Sequence, residues 1–332
     1  MKRVSLDVIA KDAGVSKTTA SMVLNGKGSL NKIHPDTQAR IFQVARKYRY
    51  RPNLLAKNLS EGKTMTLGLI VPNISDSYYS TIADHLESLA SKAGYILLLG
   101  STGENPEKER ELLLTFEAQR VDGILIASTQ HNLEDISLLY QNGLPIVLFD
   151  RHYPGTNLPS VVIDNYWGIK KLVDYMHSMG RKKVGYIGLD LDLNAIHERQ
   201  RGFKESVKSI YGSDVNLLQI VAYREYAKTC YEATMSLVEQ GVDAIIFETH
   251  YLALHGIRKL NELSLKYPDQ ISIASYGDHE VFTIFKPYVT AIDQPVGEIA
   301  LASLELLQGI MSKQATGNVY HMIQPKLIVR HS

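Results

Sequence analysis

Two periodicities divide the chain. Over residues 5–48 apolar positions recur at helical spacing, whereas from Met65 onward short continuous apolar runs alternate with longer amphipathic stretches. Leu6, Ile9, Ala10 and Ala13 fall at i, i+3, i+4 and i+7 behind Ser5, which is placed to cap a first helix. Gly14 stops it, because a left-handed backbone position costs glycine little. Ser16 is placed to cap a second helix whose Ala20, Val23 and Leu24 point inward, leaving Lys17, Thr18, Ser21 and Met22 on the outer face. Asn25-Gly26-Lys27-Gly28 reads as a turn, and His34-Pro35-Asp36-Thr37 opens a third helix with Ile41, Val44, Ala45 and Tyr48 as its apolar stripe. This is the pattern of a helix-turn-helix, whose second helix enters the DNA major groove. An ordinary surface hairpin is the plainer alternative.

Residues 52–62 could form a helix of one to two turns, too short to be stable alone in water. It reads as a linker helix ordered by DNA or a partner, or as a simple tether. Beyond it, strands are predicted at Leu67–Val71, Tyr95–Leu99, Ile124–Ala127, Pro145–Phe149 and Val161–Ile163. Helices run through Ile82, Leu86, Leu89, Ala90 and Ala93, and through Leu112, Leu113 and Phe116. Such alternation implies parallel sheets with right-handed crossovers, and the continuous apolar runs fit strands buried on both faces. The pattern then restarts with a helix over 167–179, a strand at Val184–Ile187 and a helix over 198–210. Val121-Asp-Gly-Ile-Leu-Ile126 recurs as Val242-Asp-Ala-Ile-Ile-Phe247, which suggests two related α/β lobes. Val289–Ile292, a helix over Val296–Met311 and Lys326–Val329 close the chain.

Charge sharpens this division. Among 332 residues the net charge is only +1, yet residues 1–63 hold 13 Lys/Arg against 4 Asp/Glu. A basic module on an acidic body points to a polyanion partner for the N-terminal part alone. Arg40, Arg46, Lys47, Arg49 and Arg51 are placed for phosphate contacts, which position a domain without reading sequence. The single cysteine, Cys230, excludes an internal disulfide and Cys-x-x-Cys metal clusters. No apolar signal-peptide core follows Met1 and no run of ~18 apolar residues occurs, so a cytoplasmic location is expected, with no membrane association. Phosphate-binding glycine loops, a nucleophile elbow and His-Glu-x-x-His are all missing, so neither a cofactor nor a metal nor enzymatic activity is expected. Asp150, Asp164 and Asp278 follow strands, where open α/β sheets bind ligands, but that placement alone implies no acid–base chemistry. Two other classes stay open on these residues: a solute-binding protein for uptake, and a sugar-binding or enzymatic α/β protein with an attached DNA-binding module.

The order and spacing of several motifs carry a resemblance that runs essentially end to end. Ala13-Gly14-Val15-Ser16-x-x-Thr19-x-Ser21-x-Val23-Leu24-Asn25 joins Tyr50-x-Pro52-Asn53-x-x-Ala56-x-x-Leu59. Gly68-Leu-Ile-Val-Pro72, Val121-Asp-Gly123, Asp150-Arg151, Asp164-Asn165, Arg199-x-x-Gly202-Phe203 and Thr290-x-x-x-Gln294-Pro295 follow. On these motifs the chain resembles the LacI/GalR family of bacterial transcription regulators. The resemblance implies an all-α helix-turn-helix headpiece over 1–51 and a hinge helix over 52–63. It also implies a two-lobed α/β body over 64–332, like periplasmic sugar-binding proteins. The first lobe would hold about 64–162 and 293–320, the second about 163–292 and 321–332.

A homodimer would read a near-palindromic operator, with a sugar or related metabolite bound between the lobes. DNA contacts would come from Ser16, Lys17, Thr18, Thr19, Ser21, Met22 and Asn25, and from Asn53, Lys57 and Leu59 in the hinge. Met22 stands where the family usually has Arg, which implies an altered operator with a thymine-methyl contact. Leu59 matches the leucine that wedges into the minor groove. Effector contacts are implied for Tyr78, Tyr79, Asp150, Arg199, His250 and Asp278. Gly277 replaces the first of two acids usual there. No leucine heptad follows the last strand, so a dimer is expected rather than a tetramer.

Overall fold

The computed structural model describes residues 4–50, 63–212, 217–284, 286–313 and 319–330. Two units divide it, Met1–Thr64 and Met65–Ser332. In the first, α1 (Leu6–Asp12), α2 (Lys17–Leu24) and α3 (Pro35–Lys47) close on Ala10, Ala13, Ala20, Val23 and Ile41. Leu6, Val15, Leu24, Ile33 and Val44 pack around that centre. Gly14 takes φ +65° after α1, as the turn requires. Ser16 caps α2, accepting from the Thr19 amide at 3.0 Å. Ser5 precedes α1, but its side chain makes no capping bond. An exposed Lys47–Asp12 pair at 3.0 Å ties α3 to α1 and holds the Asp12 carboxyl below its ordinary range. The linker candidates Asn53, Lys57 and Leu59, together with Arg51, lie outside the described residues.

The second unit holds two sheets. The first lobe runs β1 (Thr66–Val71), α4 (Ser77–Lys92), β2 (Ile96–Ser101), α5 (Pro106–Ala118), β3 (Gly123–Ile126), α6 (Leu133–Gln141), β4 (Ile146–Phe149) and β5 (Ser160–Ile163). The second runs α7 (Asn165–Ser178), β6 (Val184–Asp190), α8 (Asn194–Tyr211), β7 (Leu218–Ala222), α9 (Tyr226–Glu239), β8 (Ala244–Phe247), α10 (His250–Glu262), β9 (Ser272–Tyr276) and β10 (Thr290–Asp293). α11 (Val296–Met311) and β11 (Tyr320–Ile323) return to the first lobe, and β12 (Lys326–Ile328) to the second. The strand orders are β11-β5-β4-β3-β1-β2, parallel throughout, and β12-β10-β9-β8-β6-β7, parallel except for β12.

The chain thus passes between the lobes at 164, at 294–295 and at 324–325. The last crossing lies beyond the expected 320, because Tyr320–Ile323 pairs in register with Ser160–Ile163 and so stays in the first lobe. Strand β2 departs from burial on both faces: among the described residues it has a neighbour on one side only, and Ile96 and Leu99 are 65% and 47% exposed. Ala93, expected on an apolar stripe, is the exposed C-cap of α4. α8 starts at Asn194 rather than Glu198, which brings its first turn to the edge of the sheet.

α8 is held close to α7 by Gly202. A Cβ there would lie 2.8 Å from the Tyr166 carbonyl oxygen and 3.3 Å from the Tyr166 Cα, both backbone atoms with little room to yield. Replacement by alanine forces the helices apart, and overpacking of this kind costs about 1–3 kcal/mol. Gly202→Ala is expected to lower the urea-unfolding free energy by that amount. A loss under about 0.5 kcal/mol would show that the contact is not tight.

Candidate functional site

A cavity of about 290 Å³ opens between the lobes of the second unit. Its walls come from the carboxyl ends of the strands: Pro72 and Asn73 after β1, Glu104 after β2, Asp150 and Arg151 after β4. Leu191 and Leu193 follow β6, Tyr223 follows β7, Thr249 and His250 follow β8, and Gln294 follows β10. Parallel pairing brings these ends to one edge, the usual ligand site of an open α/β sheet.

Asp150 is the most constrained group on the first-lobe wall. Tyr78 and Tyr79, on the first turn of α4, donate to its two carboxylate oxygens at 3.1 and 2.7 Å. Burial is the main reason both phenols are held well above their ordinary pKa, so both act as neutral donors. Asp150 also takes a left-handed φ of +64°, rare for a non-glycine residue and a form of strain that clusters at functional sites. Its neighbour Arg151 makes a two-pronged pair with Glu104 at 2.8 and 2.6 Å and donates to the Ser128 carbonyl at 3.1 Å. That guanidinium is therefore spent on structure.

Arg199 is not. It is 8% exposed on the second-lobe wall, stacked 3.9 Å over the Tyr276 ring. Its Nε donates to Asn165 at 2.8 Å and its Nη1 to the Glu248 carbonyl at 3.2 Å. Among the described residues no carboxylate lies within ion-pair distance of it. A buried cation with neutral partners keeps its attraction for a ligand oxygen. Behind it the fully buried Glu248 accepts from the Tyr186 hydroxyl at 2.8 Å and the Leu189 amide at 2.7 Å.

His250 reaches across the cleft. Its Nε2 lies 3.2 Å from Ser77 Oγ and 3.6 Å from Asp76, and its ring stacks on His279. Burial pushes its pKa down to about 4, with His279 and Arg199 adding to the effect, so the ring is neutral. Tyr223, Tyr226 and Tyr251 supply an aromatic wall. Five of the six candidate effector residues, Tyr78, Tyr79, Asp150, Arg199 and His250, line the cavity together. Asp278 does not. Its carboxylate is bound by Arg330, with Nη1 at 2.7 Å, and the adjacent His279 lines the cavity instead. Sequence reasoning missed the three tyrosines, Glu104 and Glu248. Only Glu248 directly follows an apolar run read from the sequence, Val242–Phe247.

On the headpiece, α2 turns Lys17 and Thr18 fully outward, with Ser21 and Met22 half-buried. Lys17 pairs with Asp7 at 3.0 Å, both side chains over 60% exposed, a contact weak enough to exchange for a base or phosphate. Thr19 is tied to Ser16 at 2.8 Å and Asn25 to Ser21 at 3.3 Å, so part of the polar face holds the helix itself. Arg40, Arg46 and Arg49 are exposed. Among the described residues there is no cluster of three potential metal ligands, and no helix is long and apolar enough to cross a membrane.

Known proteins share both parts. The family described as "Bacterial regulatory proteins, lacI family" matches residues 5–53, and "Periplasmic binding proteins and sugar binding domain of LacI family" matches 64–328. The sucrose operon repressor of Klebsiella pneumoniae is 27% identical over 332 residues, covering 99% of both chains. The fructose operon regulatory protein of Vibrio cholerae is 29% identical, covering 93% of this chain and 95% of its own. The crystal structure of the lac repressor dimer bound to operator and the anti-inducer ONPF superposes with a TM-score of 0.88 at 20% identity, covering 99% of each.

Two buried groups make opposite contributions to stability as pH changes. Burial pushes Glu248 up to about 7 and His250 down to about 4. Native Glu248 keeps a proton that the unfolded chain releases above ~4.3, so its stabilisation is full at low pH and is lost as pH rises to about 7. For His250 the unfolded chain binds a proton below ~6.5 that the native state refuses, so stability is lost as pH falls through that window. Glu248→Gln removes the first trend. Urea unfolding is expected to show it more destabilising near pH ~5 than near pH ~8, by about 2 kcal/mol. Equal effects at both would mean that the carboxyl ionises normally.

Proposed function

The chain belongs to the lacI family of bacterial regulatory proteins, and we propose on that premise that it is a transcriptional repressor of the cytoplasm whose operator affinity is set by a sugar bound between the lobes. One observation carries the reading. A helix-turn-helix and a cleft holding a buried guanidinium with no ion partner among the described residues occur in one chain. Asp150 accepts from ligand hydroxyls and Arg199 donates to them, while Tyr223, Tyr226 and Tyr251 offer ring faces to an apolar sugar face. Relatives named for the sucrose and fructose operons make these two sugars the first candidates.

At the operator, Lys17 and Thr18 reach base edges and Met22 meets a thymine methyl, with Ser16, Thr19, Ser21 and Asn25 supporting them. Asn53 and Lys57 contact the DNA from the hinge, and Leu59 enters the minor groove and opens a base step. A homodimer places two such headpieces on a near-palindrome. The ligand acts by stabilising one lobe arrangement over another.

Fluorescence anisotropy on DNA from upstream of the chain's own gene, with and without sucrose or D-fructose, tests this. Tight binding released by a sugar makes it an inducible repressor. Binding that appears only with sugar makes the sugar a corepressor. No binding under any condition removes the reading. In the same assay Arg199→Ala is expected to abolish the sugar response and keep operator affinity, and an intact response would move the ligand elsewhere. Leu59→Ala is expected to weaken specific binding about tenfold or more while sparing the salt-dependent nonspecific mode. Equal losses in both modes would remove the wedge.

A further inference from the structure

We propose that Gln130 is a latch between the lobes, because it caps the second lobe's cavity helix from the first lobe. The proposal rests on the reading that a ligand in this cleft selects among lobe arrangements. α8 begins with unpaired amides, as every helix does, and the residue at its N-cap is Leu193, which has no side-chain acceptor. The missing acceptor is supplied across the cleft. Gln130 Oε1, from the loop after β3, receives the Asn194 amide at 2.8 Å.

Gln130 is set in place by its own lobe. Its backbone takes φ +63°, and its amide donates to Ser128 Oγ at 3.0 Å. Its Nε2 donates to the His152 carbonyl. That last bond fixes which way the side-chain amide faces. A flip would set Oε1 against the His152 carbonyl and Nε2 against the Asn194 amide, pairing like with like at both ends. The acceptor is therefore aimed at α8 by first-lobe groups alone. Leu193, Ala195, Ile196 and Arg199 of that helix segment line the cavity, so the contact borders the ligand space. A second contact across the cleft, His250 Nε2 with Ser77 Oγ at 3.2 Å, borders it too.

Separating the lobes breaks the Gln130–Asn194 bond and leaves the α8 amide to water. One such bond shifts a two-state population by about fivefold, and a ligand that needs the joined arrangement changes affinity by the same factor.

Both partners can be removed independently. Gln130→Ala deletes the acceptor. Asn194→Pro deletes the donor and suits the first helical position, and because its ring Cδ takes the place of the amide hydrogen facing Gln130 Oε1 its effect is at least that of losing the bond. Leu193 already has φ −130° and ψ 136°, the extended region a residue before proline adopts. Hydrogen-exchange mass spectrometry on the full chain without ligand reads the result. Each variant is expected to speed exchange about fivefold at the first turn of α8 and also at the first turns of α4 and α10, with the double variant no faster than either single one. A change confined to α8, or additive effects in the double variant, overturns the latch. Calorimetric titration with sucrose and D-fructose separates the two readings. If the parent binds either sugar and Gln130→Ala binds it equally well, the latch is wrong. If the parent binds neither sugar but the exchange pattern appears, the effector reading fails for these sugars and the latch stands.

Discussion

Strands β1–β5 and β11 run parallel in one sheet and β6–β10 in the other, so the carboxyl ends of each set emerge on one edge. The rest of the second unit depends on that constraint. Side chains as distant in sequence as Pro72, Asp150, Tyr223 and Gln294 meet at one cavity because each follows such an end. The same pairing decides where the chain changes lobe. Among the described residues, three short passages, at 164, 294–295 and 324–325, join the sheets covalently. A link of three thin segments resists separation of the lobes but little resists their rotation, and hinge motion needs only a few such residues.

Inside the cavity the charged groups are arranged so that some are satisfied and some are waiting. Arg151 and Glu104 neutralise each other at close range and contribute rigidity. Asp150 is held by two phenol hydrogen bonds, with Arg151 Nε 3.8 Å from its carboxylate, and these partners orient it and leave lone pairs for further donors. Arg199 gains its stabilisation from a ring face, a side-chain amide and a backbone carbonyl, none of which cancels its charge. Removing these groups from water is costly, and the cost is met by the fold rather than by the ligand. A ligand then meets oriented partners and loses less free energy to ordering them.

The headpiece was legible in the sequence because its determinants are local. Helical spacing, Gly14 and Ser16 act within a few residues of one another, and the turn they specify is the one observed. The alternation of strands and helices was legible for the same reason. What failed was long-range. Asp278 looked like a cleft acid by its position after a strand, but Arg330, from the far end of the chain, takes its carboxylate out of the cavity. Tyr320–Ile323 has no continuous apolar run, so only its pairing with β5 marks it as a strand of the first lobe. The tyrosine wall was not legible because no predicted strand placed Tyr223 and Tyr226 at the cleft and because Tyr251 joins them through topology and not through spacing.

Magnitudes then decide which contacts set the baseline and which do the switching. Moving a two-state equilibrium from about 1:99 to 99:1 needs about 5.5 kcal/mol of differential binding. One hydrogen bond across the cleft supplies about 1 kcal/mol, so Gln130 with Asn194 adjusts the resting balance and cannot throw the switch. For a switch of that size, the proposed reading assigns the remainder to a ligand that touches both walls at once. Asp150 with its tyrosines stands on one wall, and Arg199 over Tyr276 on the other. A ligand bound to one wall alone meets the same groups whether the lobes are joined or apart, and equal affinity for two states shifts neither. On the proposed reading, effector size is thereby constrained: a molecule that spans the cavity between Asp150 and Arg199 would switch the lobes, and a fragment that reaches only one of them would bind without switching.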